Sequence, residues 1–156
     1  MASSGNIGFS VDLELVKAFH LFNKDRKEVY LTTKYSSDDK KLIVDEKGPL
    51  KKKTAKTLAE KNKHWEDLLA KLPDNEIRFI AIQVDYKDSK AKPQNDVLLL
   101  IWTPDGVNIM KKMEVDTHKP VVLRCFQGIK DCIVINSKED WNLSKIVKDK
   151  LKGSLD

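Results

Sequence analysis

Long hydrophobic runs and paired cysteines are scarce in this 156-residue chain. The longest apolar run, Val97–Trp102, has the length of a strand and falls well short of the roughly 18 residues of a membrane span. Residues 1–12 lack the basic and apolar segments of a signal peptide. The two cysteines, Cys125 and Cys132, have neither CxxC spacing nor an adjacent histidine. These absences predict a cytoplasmic protein with reduced thiols and no transmembrane segment.

Arginine is also rare. The 29 basic residues include only three arginines, and the formal net charge is +5. Because arginine is preferred where guanine or phosphate is recognised by paired hydrogen bonds, a surface dominated by lysine favours general attraction to an acidic partner. An acidic protein, a phosphoinositide membrane and a nucleic acid all fit this charge.

Motifs of catalysis and metal binding are absent as well. The three histidines, His20, His64 and His118, lie far apart, and none pairs with another histidine or a cysteine at metal-ligand spacing. The chain has no glycine-rich phosphate loop and no G-x-S-x-G nucleophile motif. The sequence therefore predicts a protein that is not an enzyme, with no catalytic residues, no metal site and no cofactor.

Hydrophobic periodicity predicts one domain over residues 1–156, in the order helix, β-hairpin, helix, two strands, two helices, strand and helix. The segments Glu76–Tyr86 and Val97–Trp102 are apolar on nearly every central residue, as expected for strands covered on both faces. The predicted fold is an α/β three-layer sandwich, in which a central mixed sheet of about five strands is flanked by helices on both faces. The first helix is predicted over Val11–Asp25.

The helix boundaries after the second central strand follow from capping residues. Thr103 or Asp105 is the predicted N-cap of the helix that follows Trp102. Thr117 is predicted to cap a separate helix that carries a proline in its first turn. Ser137 is predicted to cap the last helix.

Two segments stand apart from this pattern. We expect a flexible N-terminus over about residues 1–9 and a lysine-rich insertion over about residues 49–63. The insertion, "KKKTAKTLAEKNK" at its centre, fits a nuclear-localisation or nucleic-acid patch or a solvated lysine loop. It lacks the aromatic residues and arginines that base stacking and base recognition use, so the solvated loop is favoured and no nucleic acid is expected.

Several motifs in order resemble the actin-depolymerising factor/cofilin family, the ADF-homology domain. They are an N-terminal glycine before a helix that ends in phenylalanine, a leucine–proline pair, an arginine on a central strand, a W-x-P followed by an acidic residue, a K-M pair and a lysine in the helix beyond: Gly8–Phe19, Leu72–Pro73, Arg78, Trp102, Pro104, Asp105, Lys112–Met113 and Lys119. The resemblance covers nearly the whole chain. It implies a monomeric, non-enzymatic protein of the cytoplasm and cytoskeleton, with the nucleus as a second location, that binds monomeric and filamentous actin and promotes depolymerisation and severing.

The resemblance also implies two sites. Flexible methionines flanked by lysines would enter an apolar cleft of the actin monomer; this set comprises Ile7, Gly8, Met110, Lys111, Lys112, Met113 and Lys119. Positive side chains would contact the filament; this second set comprises Lys90, Lys92, Lys145, Lys148 and Lys152.

Departures from the family pattern carry predictions of their own. Met110 stands where the family usually has a basic residue, so we expect an altered monomer contact. Gln94 and Asp96 stand where the family tends to place positive charge, so we expect weaker contact with filaments. Ile7 occupies the position of the family's regulatory serine.

Two alternatives remain open at this point. One is a coactosin-like protein of the same superfamily that binds filament sides without severing. The other is a basic module for phosphoinositides or nucleic acid, and phosphoinositides are also expected as a further partner of the actin-binding protein itself. Salt separates these hypotheses, because binding through lysines alone weakens steeply with ionic strength.

Overall fold

The computed structural model describes residues 8–156. The strands are β1 (Ser10–Val11), β2 (Tyr30–Tyr35), β3 (Lys41–Lys47), β4 (Arg78–Lys87), β5 (Pro93–Trp102) and β6 (Asp131–Ile135). The helices are α1 (Leu13–Asp25), α2 (Leu58–Lys61), α3 (His64–Leu69), α4 (Ile109–Cys125) and α5 (Leu143–Lys150). None of these helices is long and apolar enough to cross a membrane.

The strands form one mixed sheet in the order β1-β3-β2-β4-β5-β6. β1 and β6 pair in parallel with β3 and β5, and the other pairs are antiparallel. The predicted mixed sheet is confirmed, but it has six strands and not five. The additional strand is the two-residue β1, which the helical periodicity had assigned to the start of the first helix.

The hairpin of β4 and β5 is the centre of the sheet and explains the three layers. Its ten residue pairs run from Arg78↔Trp102 to Lys87↔Pro93. Side chains on one face pack with α1 and α4, and those on the other face pack with α3 and α5. Because both faces are covered, these strands are apolar almost throughout. We call the two ends of the hairpin the Trp102 end and the Lys87 end; they lie about 30 Å apart at ~3.3 Å per residue.

α4 is one continuous helix, so the predicted break at Thr117 is wrong. Asn108 is the N-cap, in place of the predicted Thr103 or Asp105, and its Oδ1 accepts a 2.9 Å hydrogen bond from the Lys111 backbone N–H. Pro120 lies inside the helix and removes one backbone hydrogen bond. Burial of valines on the sheet side, on both flanks of the proline, keeps the helix continuous despite this loss.

α5 and β5 also begin at residues other than those that the sequence predicted. Ser137 begins a 3₁₀ turn, and Asn142 caps α5 through a 3.1 Å hydrogen bond from the Lys145 N–H. β5 begins at Pro93, so the predicted loop is reduced to a tight turn.

The lysine-rich segment covers a free edge of the sheet. β2 pairs with β4 only as far as Ile82, which leaves the last residues of β4 without a strand on that side. The side chain of Asn62 takes the place of a neighbouring strand, donating to the Asp85 carbonyl at 2.8 Å and accepting from the Asp85 N–H at 2.9 Å. The segment is therefore attached to the sheet near the Lys87 end.

Candidate functional site

The first turns of α4, at the Trp102 end, carry an exposed apolar strip. Ile109 and Met110 are each 68% exposed and Met113 is 59% exposed. Met113 lies three and four positions after Met110 and Ile109, the spacings that make helix side chains neighbours, so it joins the three side chains into one surface, which we call the α4 strip. Contiguous exposed apolar side chains often mark an interaction surface, whereas single exposed apolar residues are ordinary.

Lys111 flanks the strip on the side of the β2–β3 hairpin, and it is held there by the protein itself. Its ammonium forms an ion pair with Asp39 and lies 4.8 Å from the centre of the Tyr35 ring. The side chain is only 24% exposed. Lys111 therefore fixes the first turn of α4 against the hairpin, and its charge is largely compensated before any partner arrives.

The same contact continues to the N-terminal segment. The Tyr35 hydroxyl lies 2.9 Å from Nδ1 of His118, and the Phe9 ring stacks on the His118 ring with centroids 3.9 Å apart. Burial lowers the pKa of His118 and raises that of Tyr35. Gly8, at φ 66°, directly precedes Phe9, so this predicted site residue lies beside α4. Ile7 lies outside the described residues.

Lys112 and Lys119 flank the strip on its other side, two helical turns apart. Nζ of Lys112 lies 3.8 Å from a carboxylate oxygen of Asp105, whose side chain is 95% exposed. An ion pair with so exposed a partner is weak, so Lys112 is free to exchange it for another carboxylate. Lys112, Lys119 and Val134 of β6 line one small hollow of about 150 Å³. Lys111 and Lys112 thus belong to opposite flanks of the strip.

At the Lys87 end, the β4–β5 turn presents Lys90 and Lys92. The Asp88 carboxylate accepts hydrogen bonds from the backbone N–H groups of both lysines, each at 2.9 Å. These bonds lower the pKa of Asp88. The turn is held in one conformation by these bonds, with both lysine side chains in solvent.

The C-terminal segment brings the lysines of α5 towards the same end. Lys87 and Ser154 exchange two backbone hydrogen bonds of 2.9 and 2.8 Å. Gly153 permits this approach, since a Cβ there would lie 2.5 Å from the Lys87 carbonyl oxygen. Lys152 is thereby placed beside the hairpin, and Lys145 and Lys148 follow along the exposed side of α5. All five lysines of the predicted filament site are exposed.

Gln94 and Asp96, the two departures on β5, differ in their surroundings. Gln94 is exposed and donates to the Asp88 carboxylate at 3.0 Å. Asp96 is half-buried and accepts a hydrogen bond from the Tyr86 hydroxyl. Asp96 therefore has a structural partner, and Gln94 alone is free to face another molecule.

Sequence reasoning missed Ile109, Tyr35 and Asp39. Ile109 shares a helix face with Met113, four residues on, and the position of the N-cap would have placed both on the first exposed turn. Tyr35 and Asp39 belong to a distant hairpin, and no local pattern links them to α4. Among residues 8–156, no three His, Cys, Asp or Glu side chains converge as metal ligands.

Comparison with known proteins identifies the family. A family model for cofilin/tropomyosin-type actin-binding proteins matches residues 8–152. Actophorin of Entamoeba histolytica is 21% identical over 140 residues, which are 90% of this chain and 93% of actophorin.

Solved structures show the same fold. The cofilin of Streptomyces griseoflavus superposes with a TM-score of 0.75 at 16% identity, covering 93% of this chain and 98% of that protein. The human coactosin-like protein superposes with a TM-score of 0.71 at 16% identity, covering 92% and 98%.

Proposed function

The chain belongs to the family of cofilin/tropomyosin-type actin-binding proteins, and from that premise we propose that it binds monomeric and filamentous actin and promotes filament disassembly. The observation that carries the proposal is the α4 strip. It presents three large apolar side chains to solvent at a helix N-terminus whose other side is firmly packed on the sheet. A rigid helix with an exposed apolar face is suited to an apolar cleft.

The chemistry of the strip favours insertion into such a cleft. Methionine side chains adapt to an irregular surface with little strain, and burying them removes apolar area from water. Lys112 and Lys119 would face acidic groups at the rim, where complementary charge speeds association and sets orientation. Gly8 would extend the same contact, since the neighbouring Phe9 stacks on His118 of α4, and we propose Ile7 as a further contact.

Disassembly of filaments requires a second contact, which we assign to the Lys87 end. Lys90 and Lys92 on the turn, with Lys145, Lys148 and Lys152 of the α5 segment, form a positive surface remote from the strip. A protein that holds one subunit by the strip and its filament neighbour by these lysines would disturb the contact between subunits. We propose depolymerisation and severing as the outcome of this double contact.

A second candidate is side binding without severing, as in a coactosin-like protein. It is favoured by the lack of positive charge at Gln94 and Asp96. Severing events counted on single filaments distinguish the two candidates. Stable decoration without breaks supports the second, and breaks that increase with protein concentration support the first.

The test of actin binding is co-sedimentation that scores both the pellet and the unpolymerised actin, together with a monomer-binding titration. Met113→Ser should weaken monomer binding by about tenfold, because it removes the central apolar contact. Leu21→Ser is a matched control: Leu21 is 54% exposed on α1, away from the strip. Equal affinities for Met113→Ser and the parent protein would contradict the assignment.

We also propose phosphoinositide headgroups as competitors of actin, because Lys112, Lys119 and the α5 lysines attract anionic lipid. Simultaneous binding of actin and phosphoinositide vesicles without mutual effect would contradict this. The proposed setting is the cytoplasm and actin cytoskeleton, with the nucleus as a second location, and the protein would act as a monomer without catalysis or cofactor.

A further inference from the structure

A hollow of about 650 Å³ lies near the Lys87 end, between the C-terminus of α1 and the lysine-rich segment. Six basic side chains line it: Arg26, Lys27, Lys51, Lys52, Lys53 and Lys61. Two carboxylates, Asp25 and Asp85, are the acidic members of the lining, so the wall carries a net charge of +4. We call this hollow the lysine pocket. Its volume is in the range of small-molecule sites.

A buried network of polar side chains holds the floor of the pocket. Nζ of Lys51 donates to Asp85 at 2.8 Å and to Gln83 at 3.4 Å. Gln83 is fully buried, and its amide donates to the carbonyls of Arg26 and Glu28 at 2.9 and 2.6 Å. The pocket therefore joins α1, β4 and the lysine-rich segment through fixed hydrogen bonds, which is more order than a solvated lysine loop requires.

The remaining lysines of the wall form no close ion pair within the described residues. Within residues 8–156, no carboxylate oxygen lies within 4.0 Å of the ammonium nitrogen of Lys27, Lys52, Lys53 or Lys61. The guanidinium of Arg26 donates to the oxygens of Asn23 and Asn95, which are neutral. An anion that binds in the pocket would reduce the repulsion between these positive groups, so the charge of the wall favours anion binding.

We propose that the lysine pocket binds a small soluble or lipid-borne molecule that carries two or more phosphate groups. A phosphate monoester has a charge of about −1.5 to −2 at pH 7, so two of them match the net charge of the wall. Leu50, 69% exposed, and Ala55 add an apolar wall for the body of the ligand. The pocket is concave and its lining contains no aromatic side chain for base stacking, which disfavours single-stranded nucleic acid.

The proposal is independent of the actin-monomer contact, because the pocket and the α4 strip lie at opposite ends of the β4–β5 hairpin. The probe is inorganic tripolyphosphate, titrated calorimetrically at constant ionic strength. The pocket variant is Lys52→Gln/Lys61→Gln, which leaves the Lys51–Asp85 pair intact. The control variant is Lys40→Gln/Lys41→Gln, which removes the same charge from exposed positions of the β2–β3 hairpin.

We expect one binding site, an affinity at least about tenfold lower in the pocket variant, and less than a twofold change in the control variant. Equal weakening in both variants would mean diffuse attraction and an adventitious ion only, which overturns the proposal. Absence of tripolyphosphate binding to the parent protein overturns it as well. Thermal unfolding of each variant checks that the fold is retained.

A second arm identifies the source of the phosphates. Phosphatidylcholine vesicles with a minor fraction of phosphatidylinositol bisphosphate are sedimented with the parent protein and the pocket variant. Binding that tripolyphosphate displaces and that the pocket variant loses supports a lipid headgroup in the pocket. Vesicle binding that is unchanged in the pocket variant, with tripolyphosphate binding lost, supports a soluble phosphorylated ligand. Tighter binding of a single-stranded oligonucleotide than of tripolyphosphate, lost in the pocket variant, overturns the small-molecule proposal.

Discussion

The two ends of the β4–β5 hairpin present different kinds of surface. At the Trp102 end, α4 exposes apolar side chains, and Lys112 has only a loose ion pair with Asp105. At the Lys87 end, Gln83 and Asp85 are buried in a hydrogen-bonded network, and several lysines that form no close ion pair surround it. The Trp102 end therefore offers hydrophobic contact, and the Lys87 end offers charge on a rigid polar support.

This difference separates residues that serve binding from residues that serve stability. Exposed side chains contribute little to the free energy of unfolding, so the α4 strip can be changed without loss of the fold. Buried polar groups destabilise the fold when a hydrogen-bond partner is removed, so the network beneath the lysine pocket cannot be changed without a loss of stability. Substitutions in the α4 strip should therefore change binding affinity, and substitutions in the network at the Lys87 end should change the free energy of unfolding.

The largest expected effect is on stability at the Lys87 end. Gln83→Ala leaves the carbonyls of Arg26 and Glu28 without their donor and opens a cavity, and we expect a loss of about 3 kcal/mol in the free energy of unfolding. Met113→Ser at the Trp102 end should change it by less than about 0.5 kcal/mol. Urea unfolding measures both. Similar losses in the two variants would remove the distinction between the ends.

The next effect separates the two lysines at the Trp102 end. Lys112→Ala should lower actin-monomer affinity by about tenfold and leave thermal stability unchanged, because its internal partner is fully exposed. Lys111→Ala should instead lower stability by about 1 kcal/mol and affect affinity less, because Lys111 is held by Asp39 and Tyr35. Monomer titration and urea unfolding give the two values.

A third variant checks that assignment of Lys111. If Lys111 acts through Asp39, then adding Asp39→Asn to Lys111→Ala should cost little beyond either single change. Full additivity of the two single losses would show that the ion pair contributes no coupling energy, and that Lys111 belongs with Lys112 as a contact of the partner.

The sequence predicted the sheet, its two covered faces and the two methionines of the α4 strip, though not Ile109, because these depend on local periodicity and on a short motif near Trp102. It did not predict the continuity of α4, since the gain from burying Val121 and Val122 on the sheet offsets the proline penalty only in the folded state. Nor did it predict the inward orientation of Lys111, which depends on Asp39, 72 positions earlier in the chain.

The lysine pocket was unpredictable for a similar reason. Composition marks residues 49–63 as lysine-rich, but the buried partners Gln83 and Asp85 lie on a strand with an apolar pattern. Only the fold shows that β2 ends before β4 does and that the lysine-rich segment occupies the free edge. A long-range pairing of this kind leaves no periodic signal in the sequence.

The third prediction compares the ends through pH. Burial lowers the pKa of both His118, at the Trp102 end, and His64, whose Nε2 lies 2.8 Å from the Gln83 carbonyl at the other. Below the ordinary value of about 6.5 the unfolded chain takes up protons that the folded chain does not. Stability should therefore be complete above pH 6.5 and fall as the pH drops below it.

Substitution shows which end is responsible. His64→Gln and His118→Gln should each reduce the loss of stability between pH 7.5 and 5.5, as measured by urea unfolding at both values. Hydrogen exchange at pH 5.5 should show earlier opening near β2 and α4 if His118 dominates, and near α3 and β4 if His64 does. A stability that is flat over this range in the parent protein contradicts both assignments.

The smallest expected effect concerns the filament contact at the Lys87 end. Gln94→Lys adds a charge beside Lys90 and Lys92, and a partly exposed ion pair of this kind is worth on the order of 0.5 kcal/mol, or about a twofold gain in filament binding or severing. Asp96 is left unchanged because it holds the Tyr86 hydroxyl.

The control is Gln127→Lys, which adds the same charge at an exposed position in the α1–α4 layer. Single-filament microscopy should show a gain for Gln94→Lys alone. A gain in both variants would reflect general attraction to an acidic filament, and a gain in neither would mean that the β4–β5 turn faces away from it.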